Sequence, residues 1–183
     1  MNSEARGQLL ELAWQSIRHA VEQASPLPLR SEDCPATLRE DGACFVTLRR
    51  GGELRGCIGS LQAHRPLCQD VVHNAYAAAL EDPRFMPLRA EELDGLELHI
   101  SLLGPSEPLE VANEAALLKA LRPGVDGLIL EDGPHRATFL PSVWEQLPEP
   151  VQFLQQLKRK AGLPADHWSA TMRFARYQCE SVE

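Results

Sequence analysis

The chain of 183 residues is poor in aromatic side chains (5%), in lysine and in long apolar runs. No stretch approaches the ~18 apolar residues that a membrane-spanning helix needs, which argues against a membrane protein. The segment from Met1 to Gly7 has neither the basic head nor the apolar core of a secretory signal, so a cytoplasmic location is the expectation. Cysteine occurs five times but never as Cys-x-x-Cys, and neither a disulfide framework nor a zinc ribbon is suggested. Cys34, Cys44, Cys68 and Cys179 therefore read as reduced core residues. No Gly-x-x-x-x-Gly-Lys or Gly-x-Gly-x-x-Gly run leads from a strand into a helix, which removes the support for nucleotide binding. Metal-ligand spacing is missing too: Cys57, His64, Cys68 and His73 come nearest, and Pro66 interrupts the helical register between them. No metal and no cofactor is expected.

What is there is ordinary in bulk: 44% hydrophobic and 24% charged residues suit one soluble domain spanning 1–183. The net charge of -8, from 18 Lys+Arg against 26 Asp+Glu, disfavours broad attraction to nucleic acid or anionic lipid. Fifteen of the basic residues are arginine, whose planar fork suits local recognition of carboxylate or phosphate.

Periodicity predicts a helix from Ser3 to Ala24 capped by Ser3, then a long proline-bearing connection from Ser25 to Gly42. Two strands, Ala43 to Leu48 and Leu54 to Leu61, flank the turn Gly51-Gly52 as a hairpin. A helix begins with Pro66 at its first position and ends near Asp82-Pro83, followed by an alternating strand from Leu96 to Leu102. Further along come a short helix near Asn113 to Leu121 and strands Val125 to Glu131 and Arg136 to Leu140. Ser142-x-x-Glu145 has the spacing of a capping box. A helix opened by Pro150 and closed at Gly162 precedes a strand from Met172 to Cys179. Hairpins mixed with unevenly spaced helices indicate an α+β fold with a mainly antiparallel sheet and flanking helices.

The unusual stretch is Leu54-Arg55-Gly56-Cys57-Ile58-Gly59. Glycine inside a strand weakens it and is tolerated where the chain bulges or where a backbone or ligand comes close. Strand alternation puts Arg55 and Cys57 on one face, where a guanidinium favours a thiolate. Two readings stand side by side: Cys57 as a reactive thiol with Arg55 beside it, or Cys57 as a packed residue. A nucleophilic Cys57 needs a base, for which His64 and His73 are the candidates.

This hexapeptide resembles the signature of the AMMECR domain family. Other blocks agree in order: Asp82-Pro83-Arg84-Phe85-x-Pro87-Leu88 with Glu92-Leu93 after it, Ser101-Leu102-Leu103, Asp126-Gly127-Leu128-Ile129-Leu130, Phe139-Leu140-Pro141-x-Val143-Trp144, and Phe153-Leu154 through Lys160-Ala161-Gly162-Leu163 to Trp168. The resemblance implies a compact α+β domain of two unequal lobes, with the hexapeptide by the cleft between them. Stand-alone members of the family are called AmmeMemoRadiSam system protein A, after the Memo-like and radical S-adenosylmethionine proteins they accompany, and such partners are implied. It also places Arg55, Gly56, Cys57 and Gly59, with Asp82, Arg84 and Phe85, at a site for an anionic small molecule or a partner. Arg55 would hold the anion and Cys57 would react in an enzyme; in a non-catalytic interaction module the same strand is a surface. A nucleic-acid-associated role is the weakest reading.

Overall fold

Leu9, Ala13 and Ile17 line one stripe of the first helix, α1 (Ser3–Gln23), and all three are fully buried. The computed structural model describes residues 1–183 apart from the side chain of Ser31, and its elements fall into two units. The first unit is Met1–Leu103 with Glu180–Glu183; the second is Gly104–Cys179. The α+β class with antiparallel pairing holds in both.

In the first unit, α1 starts one residue earlier than Ser3 suggests, because Asn2 Oδ1 accepts the Ala5 N–H at 2.8 Å and is the cap. Strands β1 (Cys44–Arg50) and β2 (Glu53–Gly59) form the expected hairpin. Gly51 and Gly52 have φ of 59° and 82°, a left-handed pair that lets pairing run on to Arg50 and Glu53. Helix α2 (Leu67–Leu80) follows, with Pro66 one position earlier than expected, at its N-cap. Strand β3 (Leu96–Leu103) pairs with β1, and the sheet order is β2-β1-β3-β8, the last being Cys179–Val182. Cys44, Val46 and Leu48 of β1 and Leu98 and Ile100 of β3 share one core with Val71, Ala75 and Ala78 of α2.

One cysteine expectation is corrected. Cys34 and Cys68, read as separate reduced residues, form a disulfide, while Cys44, Cys57 and Cys179 are free. The partners are 34 residues apart, and only the course of segment 25–43, with 3-10 turns at Ser31–Asp33 and Ala36–Leu38, returns Cys34 to the start of α2. Spacing alone carries no sign of that return.

The second unit has the sheet order β4-β7-β5-β6, built from Glu107–Pro108, Arg173–Tyr177, Gly127–Asp132 and His135–Phe139. The tail strand breaks at Gln178, so β7 and β8 serve different sheets. Helices α3 (Glu114–Ala120) and α4 (Pro150–Lys160) supply Leu117, Phe153, Leu154 and Leu157 to a core with Leu128 and Leu130. Trp144 stacks on Phe153 with centroids 3.8 Å apart. It sits in a 3-10 turn, Pro141–Glu145, that has no side-chain cap; the expected Ser142 capping box does not form, because Leu140 takes the cap position and Pro141 opens the turn. Lys158 is fully buried, its Nζ donating to Glu114 Oε2 at 2.6 Å and to Ala165 O at 3.2 Å, so the charge is paired and hydrogen-bonded.

Glycine positions give a stability test. A Cβ on Gly56 would lie 2.1 Å from the Ala78 carbonyl oxygen of α2, whereas one on Gly7 in α1 meets nothing within 4 Å. Gly56→Ala should lower unfolding free energy by about 1–3 kcal/mol through overpacking. Gly7→Ala should raise it by up to ~1 kcal/mol. Urea denaturation of both variants checks the contrast.

Candidate functional site

Strand β2 is outermost in its sheet, so one side of its backbone faces no strand. Unpaired edges invite association with other chains and are usually blunted. Here the blunting is done by the loop that follows α2. The Cys57 N–H donates to Asp82 Oδ2 at 2.9 Å, and the Cys57 carbonyl accepts from Arg84 Nη2 at 3.1 Å. Two side chains thus stand where a neighbouring strand would offer its C=O and N–H. The loop is itself tied down, since Phe85 N–H donates to Asp82 O (3.1 Å) and Leu88 N–H to Ala79 O (2.8 Å).

Asp82 is the pivot. Arg84 grips it in a fork, Nε to Oδ1 at 2.9 Å and Nη2 to Oδ2 at 2.7 Å, and the Arg84 backbone N–H adds a bond to Oδ1 at 3.1 Å. The Asp82 side chain is 2% exposed while that of Arg84 is 54% exposed, so the carboxylate lies inside and the guanidinium faces water. The Arg84 hydrogen bonds hold the Asp82 carboxyl down to about 2, against burial, with the Cys57 and Arg84 backbone N–H groups helping.

A second fork lies alongside. Arg55 Nε and Nη2 donate to Glu92 Oε1 and Oε2 at 2.7 and 3.0 Å, and the Arg89 backbone N–H donates to Glu92 Oε2 at 2.9 Å. Arg55 brings the Glu92 carboxyl down to about 2. The Phe85 ring has both guanidiniums against it, Arg55 at 6.0 Å and Arg84 at 5.4 Å from its centroid, within cation–π range. Arg55, Asp82, Arg84 and Phe85 are therefore brought together with Cys57, and Glu92 completes the set.

The expected pairing of Arg55 with Cys57 is corrected. Leu48 pairs with Gly56 and Arg49 with Leu54, so Arg55 is the extra residue of a β-bulge and the strand alternation breaks there. Its guanidinium goes to Glu92. The cation beside the Cys57 side chain is Arg84, whose own pKa is raised chiefly by Asp82 and to a lesser degree by Cys57. The thiol's hydrogen-bond partner is Thr47 Oγ1, 3.3 Å away. No histidine hydrogen-bonds Cys57 among the described residues: His64 Nδ1 is 2.8 Å from the Gln62 carbonyl, and His73 is exposed on α2. Both glycines serve packing, Gly56 under the Ala78 carbonyl and Gly59 against the Phe45 ring, which a Cβ would approach to 2.3 Å.

Two polar clusters escaped the sequence reading. Asp70, fully buried on α2, accepts from the Cys44 N–H (3.0 Å), Ser60 Oγ (2.7 Å) and Asn74 Nδ2 (3.0 Å), with Arg65 Nε 3.0 Å from Oδ1. The signal was an Asp and an Asn four residues apart on the apolar face of a helix. Burial, with Asp70 next in weight, pushes the Cys44 thiol well up, and burial carries Cys179 to about 12. In the second unit Asp132 accepts from Thr171 Oγ1 (2.5 Å) and Ser169 Oγ (2.9 Å), with His167 Nε2 at 2.7 Å. The serine bonds the carboxylate and not the imidazole, so these residues do not form an activated nucleophile. Among the described residues no group of three or more His, Cys, Asp or Glu side chains is arranged to hold a metal ion.

Comparison with known proteins matches residues 10–182 to the AMMECR1 family model. A protein of Methanothermobacter thermautotrophicus is 38% identical over 94% of this chain and 90% of its own length. One from Thermococcus gammatolerans is 39% identical over 87% of this chain and 80% of its own. The crystal structure of the uncharacterized protein PH0010 from Pyrococcus horikoshii superposes with a TM-score of 0.87 at 32% identity, covering 94% of this chain and 88% of that one.

The two lowered carboxyls set an acid limit. Their folded values near 2 lie below the ordinary 3.8 of Asp82 and 4.5 of Glu92, so their stabilisation is complete above those ordinary values and is lost as pH falls toward 2. The thermal midpoint should fall steadily between pH 5 and 2, and Asp82→Asn should flatten that slope while lowering the midpoint at pH 7. Calorimetric scans at stepped pH measure both.

Proposed function

The chain belongs to the AMMECR1 family, and from that membership we propose that the Leu54–Gly59 strand and the Asp82–Phe85 loop form a recognition surface for an anionic group. The group is carried by a small molecule or by an acidic segment of a partner protein. One observation carries the reading: the internal hydrogen bonds of Arg55 and Arg84 use Nε and Nη2, leaving Nη1 of each, on guanidiniums already fixed in place against Phe85. Pre-set guanidiniums lose little freedom when they take an oxyanion, which is what favours them in such sites. The partners we propose are the Memo-like and radical S-adenosylmethionine proteins that the family resemblance implies.

Recognition is better supported than nucleophilic catalysis. Cys57 has Thr47 where a base would stand, and Gly56 and Gly59 abut protein where a ligand would need room. Nucleic acid is disfavoured by the net charge of -8.

The test is titration calorimetry of the full chain with a Memo-like protein. Arg84→Lys keeps the charge but loses the fork and should weaken binding about tenfold. Equal affinity of this variant, with its fold confirmed by circular dichroism, would remove the surface from consideration. A separate check uses iodoacetamide near neutral pH. Cys57 should be alkylated ahead of Cys44 and Cys179, whose thiols are held protonated by burial. Peptide mass mapping reads the order.

A further inference from the structure

The Cys34–Cys68 disulfide and the Asp70 carboxylate occupy the same first turn of α2. Asp70 gathers three separate stretches: the start of β1 through the Cys44 N–H, the residue after β2 through Ser60 Oγ, and its own helix through Asn74. Asn74 Nδ2 closes the cluster by also donating to the Cys44 carbonyl at 3.1 Å and Ser60 Oγ at 3.3 Å. The anchorage of Ser60, directly after the Leu54–Gly59 strand, therefore depends on where the first turn of α2 sits. Cys68 stands two residues before Asp70 and is fully buried, and Cys34 is buried as well.

Segment 25–43 lies on that turn. Besides the disulfide it is joined there by Leu67 N–H to Glu40 O (2.9 Å), Gly42 N–H to Arg65 O (3.2 Å) and Gln69 Nε2 to Leu29 O (3.2 Å). Arg39 braces the segment internally, donating to the carbonyls of Cys34 (2.9 Å) and Glu32 (3.0 Å). Within 25–43 the exposed residues outnumber the buried ones and regular structure is confined to two single 3-10 turns; besides these ties the segment is held by Leu38, buried in the core, and by Thr37 Oγ1 donating to Gln8 Oε1 at 3.1 Å. The disulfide is the one covalent tie among them.

We infer that Cys34 and Cys68 form a reversible redox clamp that sets how firmly the Ser60 end of the motif strand is held. In the oxidised state the S–S bond fixes segment 25–43 on α2, and the Asp70 cluster stays closed. In reduction, a thiolate of a dithiol reductant attacks one sulfur and the other leaves as a thiolate that takes up a proton. The reductant's second thiol then resolves the mixed disulfide. Two electrons and two protons end on Cys34 and Cys68, and the reductant becomes a disulfide. Because both sulfurs are buried, the exchange proceeds through opening of 25–43, which couples the redox step to the motion it controls. The inference stands apart from the proposed recognition surface, since its readouts need no ligand.

The full-length chain, purified without reductant and equilibrated with oxidised glutathione, is compared with the same sample after dithiothreitol. Thiol counting in denaturant should give three free cysteines before reduction, namely Cys44, Cys57 and Cys179, and five after it. Hydrogen exchange read by mass spectrometry should quicken about tenfold in 25–43 and in 59–66 on reduction, with the second unit unchanged. The Cys34→Ser variant should exchange like the reduced chain, and if it fails to fold, dithiothreitol on the native chain supplies the same state. Five thiols in the oxidised sample would overturn the clamp. So would a bond that dithiothreitol opens only on unfolding, or one whose reduction leaves exchange in 59–66 unaltered.

Discussion

A carboxylate and a guanidinium standing in for a β-strand are the constraint on which the site rests. Asp82 and Arg84 satisfy the N–H and C=O of Cys57 on the open side of β2. Neither segment can leave the other without giving up hydrogen bonds to charged groups, each worth about 1.5–3 kcal/mol. The fork between Asp82 and Arg84 makes the substitute rigid, because each atom that serves Cys57 is also held by the other partner. A hexapeptide and a loop 25 residues further on thereby behave as one structural unit.

Close helix packing is the second half of that unit. Gly56 lets the Ala78 carbonyl come against β2, and this seats the C-terminal turn of α2 where its following loop can reach Cys57. Ala75, Ala78 and Ala79 keep the same helix face thin. The glycine that would suggest a ligand approaching the backbone is spent on a helix approaching it. Chemical interest shifts outward to the half-buried thiol and the two guanidiniums around Phe85.

Much of this was legible in the sequence. The hairpin, α2, β3 and α4 all fall where periodicity and Gly or Pro punctuation put them, since those signals are local. Arg55, Cys57, Asp82, Arg84 and Phe85 were identified, and they do come together. Their wiring was not legible. A bulge at Arg55 is a register event that depends on how β1 pairs, and alternation along one strand cannot reveal it. Glu92 belongs to a block that resembles the family but was not read as part of the site, because it looks like any charge on a short turn until Arg55 reaches it. The Cys34–Cys68 bond and the Asp70 cluster likewise join stretches that only the chain's return path makes neighbours. Asp70 and Asn74 did leave a trace, as polar residues on an apolar helix face.

The two forks have an electrostatic consequence. Arg55 is matched by Glu92 and Arg84 by Asp82, so the patch is locally neutral on a chain of net charge -8. Long-range attraction cannot draw an anion to it; the far field repels one. Any capture by the proposed surface would depend on directional hydrogen bonds made after arrival, with selectivity residing in how long a visitor stays rather than how fast it comes. For the proposed recognition surface, this means that passing polyanions would find no attraction and that only a group whose oxygens fit between guanidiniums already in position would be retained.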